Sequence, residues 1–319
     1  MRALLLFPLF FAGSALTAPT GRASPPATAP ADPTPTGQAQ DLKFGRDAND
    51  RMTVAVRVSN SGPYRFLVDT GAERTVISRQ LAYQLRLAPG PPARIQSVAG
   101  ASDVATVDIP VLDVDSRRVP VTGAPTLDEM HIGADGVLGV DSLAATRVLF
   151  DFKRGVMEVS PSRQEHEPYD PMTIVVEARR RHGRLMFTHA VADGARAVVV
   201  IDTGSQVTIG NAALRQRLLG RRPRGETTEL ETVAGEKLFV ELTTVQTLDL
   251  DGVVLKHMAI AFTDGPVFRQ LDLDQRPAML LGMNALRGFE KVSIDFATRS
   301  VRFVLPETGS FQDLRLASR

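Results

Sequence analysis

FLVDTGAERTVIS (66–78) and VVVIDTGSQVTIG (198–210) decide how this chain is read. Each is an apolar, β-branched run that ends on Asp-Thr-Gly and is followed by a second short apolar run. A carboxylate at the end of an apolar strand is expensive to bury alone. It needs hydrogen-bond donors, and a glycine in the turn lets backbone amides approach it. A single Asp-Thr-Gly arises by chance in about one chain in twenty of this length. Two of them, each behind an apolar strand, call for a common cause.

Working outward, the surroundings repeat as well. MTVAVRVS (52–59), the turn Asn60-Ser61-Gly62-Pro63 and the strand YRFLV (64–68) lead into the first motif. MFTHAVA (186–192), the turn Asp193-Gly194 and the strand ARAVVVI (195–201) lead into the second. A short amphipathic helix is expected after each motif. Ser78 caps one, with Leu81, Ala82 and Leu85 inward; Asn211 caps the other, with Leu214 and Leu218 inward and Gly220 at its end. IQSVAGASDVATVDI (95–109) then matches TELETVAGEKLFVEL (228–242), both strand-turn-strand patterns around Val-Ala-Gly. DGVLGVDSL (135–143) matches AMLLGMNAL (278–286), and the hairpin VLFDFKRGVMEV (148–159) matches VSIDFATRSVRFV (292–304). Four elements recur in one order, so a duplicated, mainly β architecture with short helices is expected.

Two carboxylates from equivalent places in two related lobes can meet near a pseudo-twofold axis. Close carboxylates do not both ionise; they share a proton. The ionised one can take a proton from water while the protonated one polarises a carbonyl, which is general acid–base hydrolysis of an amide.

The two motif segments resemble the active-site loops of retropepsin-like aspartic proteases. GVLGVDSLAATRVLFDF and AMLLGMNALRGFEKVSIDF resemble that family's second hallmark, two apolar residues and a glycine before a short helix and a strand. The resemblance covers about 48–306. It implies two homologous acid-protease-type β-barrel lobes in one chain, with Asp69 and Asp202 as the catalytic pair. Thr70 and Thr203 would bridge the lobes below the carboxylates, and Gly71 and Gly204 would offer amides to them. Val98-Ala99-Gly100 and Val233-Ala234-Gly235 would form flap tips over an extended polypeptide. Leu138-Gly139 and Leu281-Gly282 would be supports. Neither flap carries the tyrosine of the pepsin type, and both lobes lie in one chain, unlike the retroviral enzymes.

Just after each Asp-Thr-Gly the repeats differ: Ala72 in one, Ser205 in the other. The Ser205 hydroxyl is expected to donate to Asp202 and make it the more acidic of the two. Glu73 and Arg74 are expected to pair across the lobe interface or shape a substrate pocket, with a structural role favoured.

Composition narrows the rest. The 319 residues carry a net charge of +1 and no cysteine, which excludes disulfides, thiol nucleophiles and thiolate metal sites. The five histidines (His131, His166, His182, His189, His257) have no metal-ligand spacing. Gly133, Gly136 and Gly139 do not make a dinucleotide fingerprint. The clusters Arg179–Arg181 and Arg221, Arg222, Arg224 read as solvated loops. No metal, cofactor or nucleic-acid partner is expected. Arg2 followed by an apolar run and small residues reads as a secretory signal over 1–18, cleaved somewhere in 15–23. A disordered linker over 19–40, an N-terminal lobe over 41–160, an interlobe linker over 161–171, a C-terminal lobe over 172–306 and a tail over 307–319 complete the expected organisation. The whole reads as an exported or periplasmic aspartic endopeptidase, monomeric, with no membrane span after signal removal. A catalytically silent peptide-binding module on the same fold is the alternative.

Overall fold

The architecture is that of a computed structural model of the full chain, which describes residues 4–5, 10–11, 52–97, 100–115, 117–162, 172–181, 184–220, 227–232, 235–306 and 315–316. The first half contains β1 (Thr53–Val58), β2 (Ser61–Val68), β3 (Val76–Ser78), α1 (Arg79–Gln84), β4 (Ala88–Gln96) and β5 (Ala101–Val114). It continues through β6 (Arg117–Leu127), α2 (Glu129–Ile132), β7 (Gly136–Leu138), α3 (Val140–Leu143), β8 (Thr146–Asp151) and β9 (Val156–Pro161). The second half contains β10 (Thr173–Glu177), β11 (Arg184–Ala192), β12 (Ala195–Ile201), β13 (Thr208–Gly210), α4 (Ala212–Leu219), β14 (Thr227–Thr232) and β15 (Lys237–Leu250). It ends with β16 (Val253–Phe262), α5 (Pro266–Gln270), β17 (Ala278–Leu281), α6 (Met283–Leu286), β18 (Lys291–Asp295) and β19 (Ser300–Val304).

Each half closes a six-stranded barrel. The first runs β5-β1-β2-β7-β3-β6 and closes through β5–β6. The second runs β15-β11-β12-β17-β13-β16 and closes through β15–β16. The orders correspond strand for strand, so the sequence repeat is a structural one. Closure leaves no unpaired edge within either ring. The alternating apolar residues point inward, and Val54, Val56, Phe66, Ile109, Val199, Ile260 and Leu281 are all fully buried.

A third sheet joins the lobes in the order β9-β8-β18-β19-β10. Its central pair, β8 and β18, is antiparallel, with Arg147 opposite Asp295 and Asp151 opposite Lys291. The charges therefore cross the lobe boundary twice, Arg147 Nε to Asp295 at 3.6 Å and Lys291 Nζ to Asp151 at 3.5 Å.

Local expectations hold with two shifts. The Ser78 side chain accepts from Leu81 N–H at 3.0 Å, and Asn211 accepts from Leu214 N–H at 2.8 Å, so both expected caps form. The turn at Asp193-Gly194 is tight, with φ of 43° and 81°. Its counterpart sits at Ser59-Asn60, with φ of 50° and 66°, rather than over 60–63. Positive φ at both central residues matches the right-handed twist of the strands, so β2 begins already at Ser61. Arg179–Arg181 is a short strand paired with Arg184–Met186, not a loop, because its backbone extends the hairpin into β11. Arg221–Arg224 lie outside the described residues, as do most of the expected signal, the 19–40 segment, most of 161–171 and most of the tail. Leu4–Leu5 runs parallel to β14, and Phe10–Phe11 runs antiparallel to β4. No described helix is long and apolar enough to cross a membrane.

Candidate functional site

The two Asp-Thr-Gly turns meet between the barrels. β2 and β12 deliver Asp69 and Asp202, and both residues are 0% exposed. The turns are interlocked by their threonines. Thr70 N–H donates to Thr203 Oγ1 at 3.0 Å, and Thr203 N–H donates to Thr70 Oγ1 at 3.1 Å. Each hydroxyl then donates onward to the opposite strand, Thr70 Oγ1 to Ile201 O at 2.9 Å and Thr203 Oγ1 to Val68 O at 2.8 Å. Four buried hydrogen bonds related by one pseudo-twofold axis fix the position of the turns.

The glycines do more than close the turns. A methyl group on Gly204 would lie 2.4 Å from Asp69 Oδ2, and one on Gly71 would lie 2.8 Å from Asp202 Oδ1. Each carboxylate therefore rests on the glycine of the other loop, and any larger residue would push the pair apart. Gly71 N–H and Ala72 N–H donate to Asp69 Oδ1 at 2.7 and 3.0 Å. Gly204 N–H donates to Asp202 Oδ1 at 3.1 Å. Oδ2 of each, also buried, takes none of these amides.

Ser205 departs from expectation. Its hydroxyl donates to Val207 O at 2.6 Å rather than to Asp202. The carbonyl two residues along lies within reach of a serine side chain in this turn, and it captures the proton. The contacts that bear on ionisation are backbone amides instead: Gly71 and Ala72 on Asp69 Oδ1, and Gly204 on Asp202 Oδ1.

The supports lie where the repeat puts them. Asp69 N–H donates to Leu138 O and Asp202 N–H to Leu281 O, both at 3.0 Å. A methyl group on Gly139 would meet the Arg74 carbonyl carbon at 2.4 Å, and one on Gly282 the Val207 carbonyl carbon at 2.6 Å. The motif-following loop thus lies directly on each of these glycines. Residues that sequence reasoning passed over complete the brace. Thr75 Oγ1 accepts from Gly139 N–H and Thr208 Oγ1 from Gly282 N–H, each at 3.1 Å. Asp141 accepts from Thr75 N–H at 2.9 Å, and Asn284 from Thr208 N–H at 2.8 Å. The signal was present: Thr75 and Thr208, and Asp141 and Asn284, occupy matching positions in the two repeats.

Arg74 donates to Thr122 O at 3.1 Å, within its own lobe. Gly100 and Gly235 sit at the turns of the hairpins β4–β5 and β14–β15, whereas Val98, Ala99, Val233 and Ala234 lie outside the described residues. Among the described residues, no group of three His, Asp or Glu side chains is placed to hold a metal ion.

A family model described as aspartyl protease matches residues 54–142 and again 188–285, together more than half of the chain. The chain belongs to the aspartyl protease family. Each match contains one Asp-Thr-Gly turn and its supporting glycine strand, so the chain holds two copies of the family's unit. Among curated proteins, none matches the chain.

Proposed function

We propose that this protein is an aspartic endopeptidase whose general acid–base pair is Asp69 and Asp202. The carrying observation is the crossed packing of two buried carboxylates, each on the other's glycine. Such a pair shares one proton. Two amides favour the charged form of Asp69, so Asp69 is the base that takes a proton from water. Asp202 holds the shared proton and gives a hydrogen bond to the scissile carbonyl as water adds. Asp69 then passes the proton it took from water to the amide nitrogen, and the C–N bond of the tetrahedral adduct breaks without an acyl-enzyme.

The substrate class is an extended polypeptide, held below the hairpins β4–β5 and β14–β15. One chain supplies both carboxylates, so a monomer suffices. The apolar N-terminal run with its small residues supports an exported or periplasmic location.

The test is incubation of the protein with a diverse peptide library across pH, beside Asp69→Asn and Asp202→Asn. Each variant should stay folded and lose about 10²–10⁴-fold or more in cleavage rate, the usual worth of a positioned acid or base. Substantial turnover in either variant, with the wild type active, removes the dyad assignment. Peptide binding without turnover in the wild type gives instead the silent binding module.

A further inference from the structure

The hairpins β4–β5 and β14–β15 share the sequence Val-Ala-Gly, but the residue after the glycine differs: Ala101 in the first, Glu236 in the second. Ala101 is exposed, whereas Glu236 is half-buried against the other lobe. Its carboxylate reaches across to the first hairpin. Ser97 Oγ donates to Glu236 Oε2, and Ser102 Oγ donates to Glu236 Oε1 at 2.9 Å. From its own side, Thr232 Oγ1 lies 3.5 Å from Oε2 and accepts from Glu236 N–H at 3.1 Å. The carboxylate is thus gripped from both hairpins at once.

Neighbouring contacts bring the same parts together. Gly235 lies so close to His131 in α2 that a methyl group there would be 2.5 Å from the ring. In the reciprocal place, Gln270 in α5 hydrogen-bonds Gln96 at the end of β4. Each hairpin therefore leans on the small helix of the opposite lobe, and Glu236 ties the hairpins to each other.

We propose that Glu236 is a positioning residue that clasps the hairpins β4–β5 and β14–β15 together and so holds a bound polypeptide chain in register. It touches neither reacting atoms nor the carboxylate pair. A charged acceptor with two hydroxyl donors is among the stronger hydrogen-bonded arrangements a partly exposed site offers. The proposal rests on the peptidase reading for its consequence, but not for the clasp itself.

The experiment has two arms on the intact protein, with Glu236→Ala, Glu236→Gln and Ser97→Ala/Ser102→Ala. The first arm is amide hydrogen exchange. Glu236→Ala should speed exchange about tenfold in both hairpins, β4–β5 and β14–β15, while β2 and β12 keep their protection. The serine double variant should do the same, and combining the two changes should add little, because they break one contact. Gln at 236, which retains one acceptor oxygen, should fall between. The second arm is kinetics on a cleaved peptide: KM should rise about tenfold for Glu236→Ala, with kcat within about twofold. Unchanged exchange in both hairpins, or faster exchange confined to β14–β15, overturns the clasp whether or not the chain cuts peptides. Faster exchange in both hairpins with an unmoved KM keeps the clasp and overturns its role in holding substrate. Should Glu236→Ala fail to fold, the serine variant decides both arms.

Discussion

The two Asp-Thr-Gly loops are alike in how they are held and differ in which amides they aim at their carboxylates. The bracing bonds agree nearly to 0.1 Å: Asp69 N–H to Leu138 O and Asp202 N–H to Leu281 O, or Gly139 N–H to Thr75 and Gly282 N–H to Thr208. On the carboxylates, Asp69 Oδ1 takes the Gly71 and Ala72 amides, and Asp202 Oδ1 takes the Gly204 amide. The bracing joins backbone amides to matched carbonyls and threonine hydroxyls within each lobe, so its geometry repeats although the loops differ at Ala72 and Ser205. The proton-tuning contacts are single hydrogen bonds worth about 1 kcal/mol net, and these can drift apart without unfolding anything.

That contrast can be broken most directly at the supporting glycines. Gly139 and Gly282 have φ of −90° and −85°, which any residue tolerates, so what they supply is space. Gly139→Ala and Gly282→Ala each drive a methyl group into backbone that cannot swing aside, and each should cost about 3 kcal/mol. The two costs, read from denaturant unfolding, should agree within about 0.5 kcal/mol. A large loss in one lobe and none in the other would mean the bracing is not equivalent.

A smaller effect sharpens the comparison at the interlobe sheet. Burial pushes the Asp295 carboxyl up, but the Thr298 amide, the Ser162 and Thr298 hydroxyls and the Ala297 amide outweigh it and hold the pKa below the usual carboxylate value. A folded pKa below the unfolded one stabilises the protein above the unfolded carboxylate range, and that stability is lost as pH falls through the folded value. Asp295→Asn should therefore lose about 2 kcal/mol at neutral pH and flatten the acid limb of the stability curve. An acid limb identical to wild type would show that these hydrogen bonds do not favour the ionised form.

The smallest effect is at Ser205. Because its hydroxyl serves the Val207 carbonyl, Ser205→Ala should cost less than about 1 kcal/mol and leave the pH–rate profile over the wild-type curve. A shift of the acidic limb to higher pH would restore the idea that this hydroxyl tunes Asp202. Carboxyl NMR of the dyad should find the shared proton mainly on Asp202, since the Gly71 and Ala72 amides favour the ionised form of Asp69; a proton mainly on Asp69 would reverse the assignment. The apparent pKa values belong to the pair.

How much of this was legible beforehand follows from which interactions are local. The Asp-Thr-Gly turns, the caps at Ser78 and Asn211 and the glycine strands are short-range patterns; their repetition pointed to a duplicated, mainly β chain, and the family resemblance to two barrels. The direction of the Ser205 hydroxyl was not legible, since two acceptors lie within a few residues and only turn geometry chooses between them. The braces from Thr75 to Asp141 and from Thr208 to Asn284 span loops of more than sixty residues, yet alignment of the repeats places them. Glu236 was out of reach, because its partners Ser97 and Ser102 become neighbours only once the lobes are docked.

The crossed ion pairs on β8 and β18 have a consequence for dilution. Arg147 and Asp151 come from one half of the chain, and Lys291 and Asp295 from the other. Were the halves separate molecules, the site would assemble only when they met, and its activity would fall faster than concentration. Joined in one chain, each half faces the other at an effective concentration in the millimolar range for a short tether. On the proposed one-chain reading, peptide cleavage per molecule should not change as the protein is diluted. The joining also lets the two hairpins differ, with Glu236 after the glycine of one and Ala101 after that of the other.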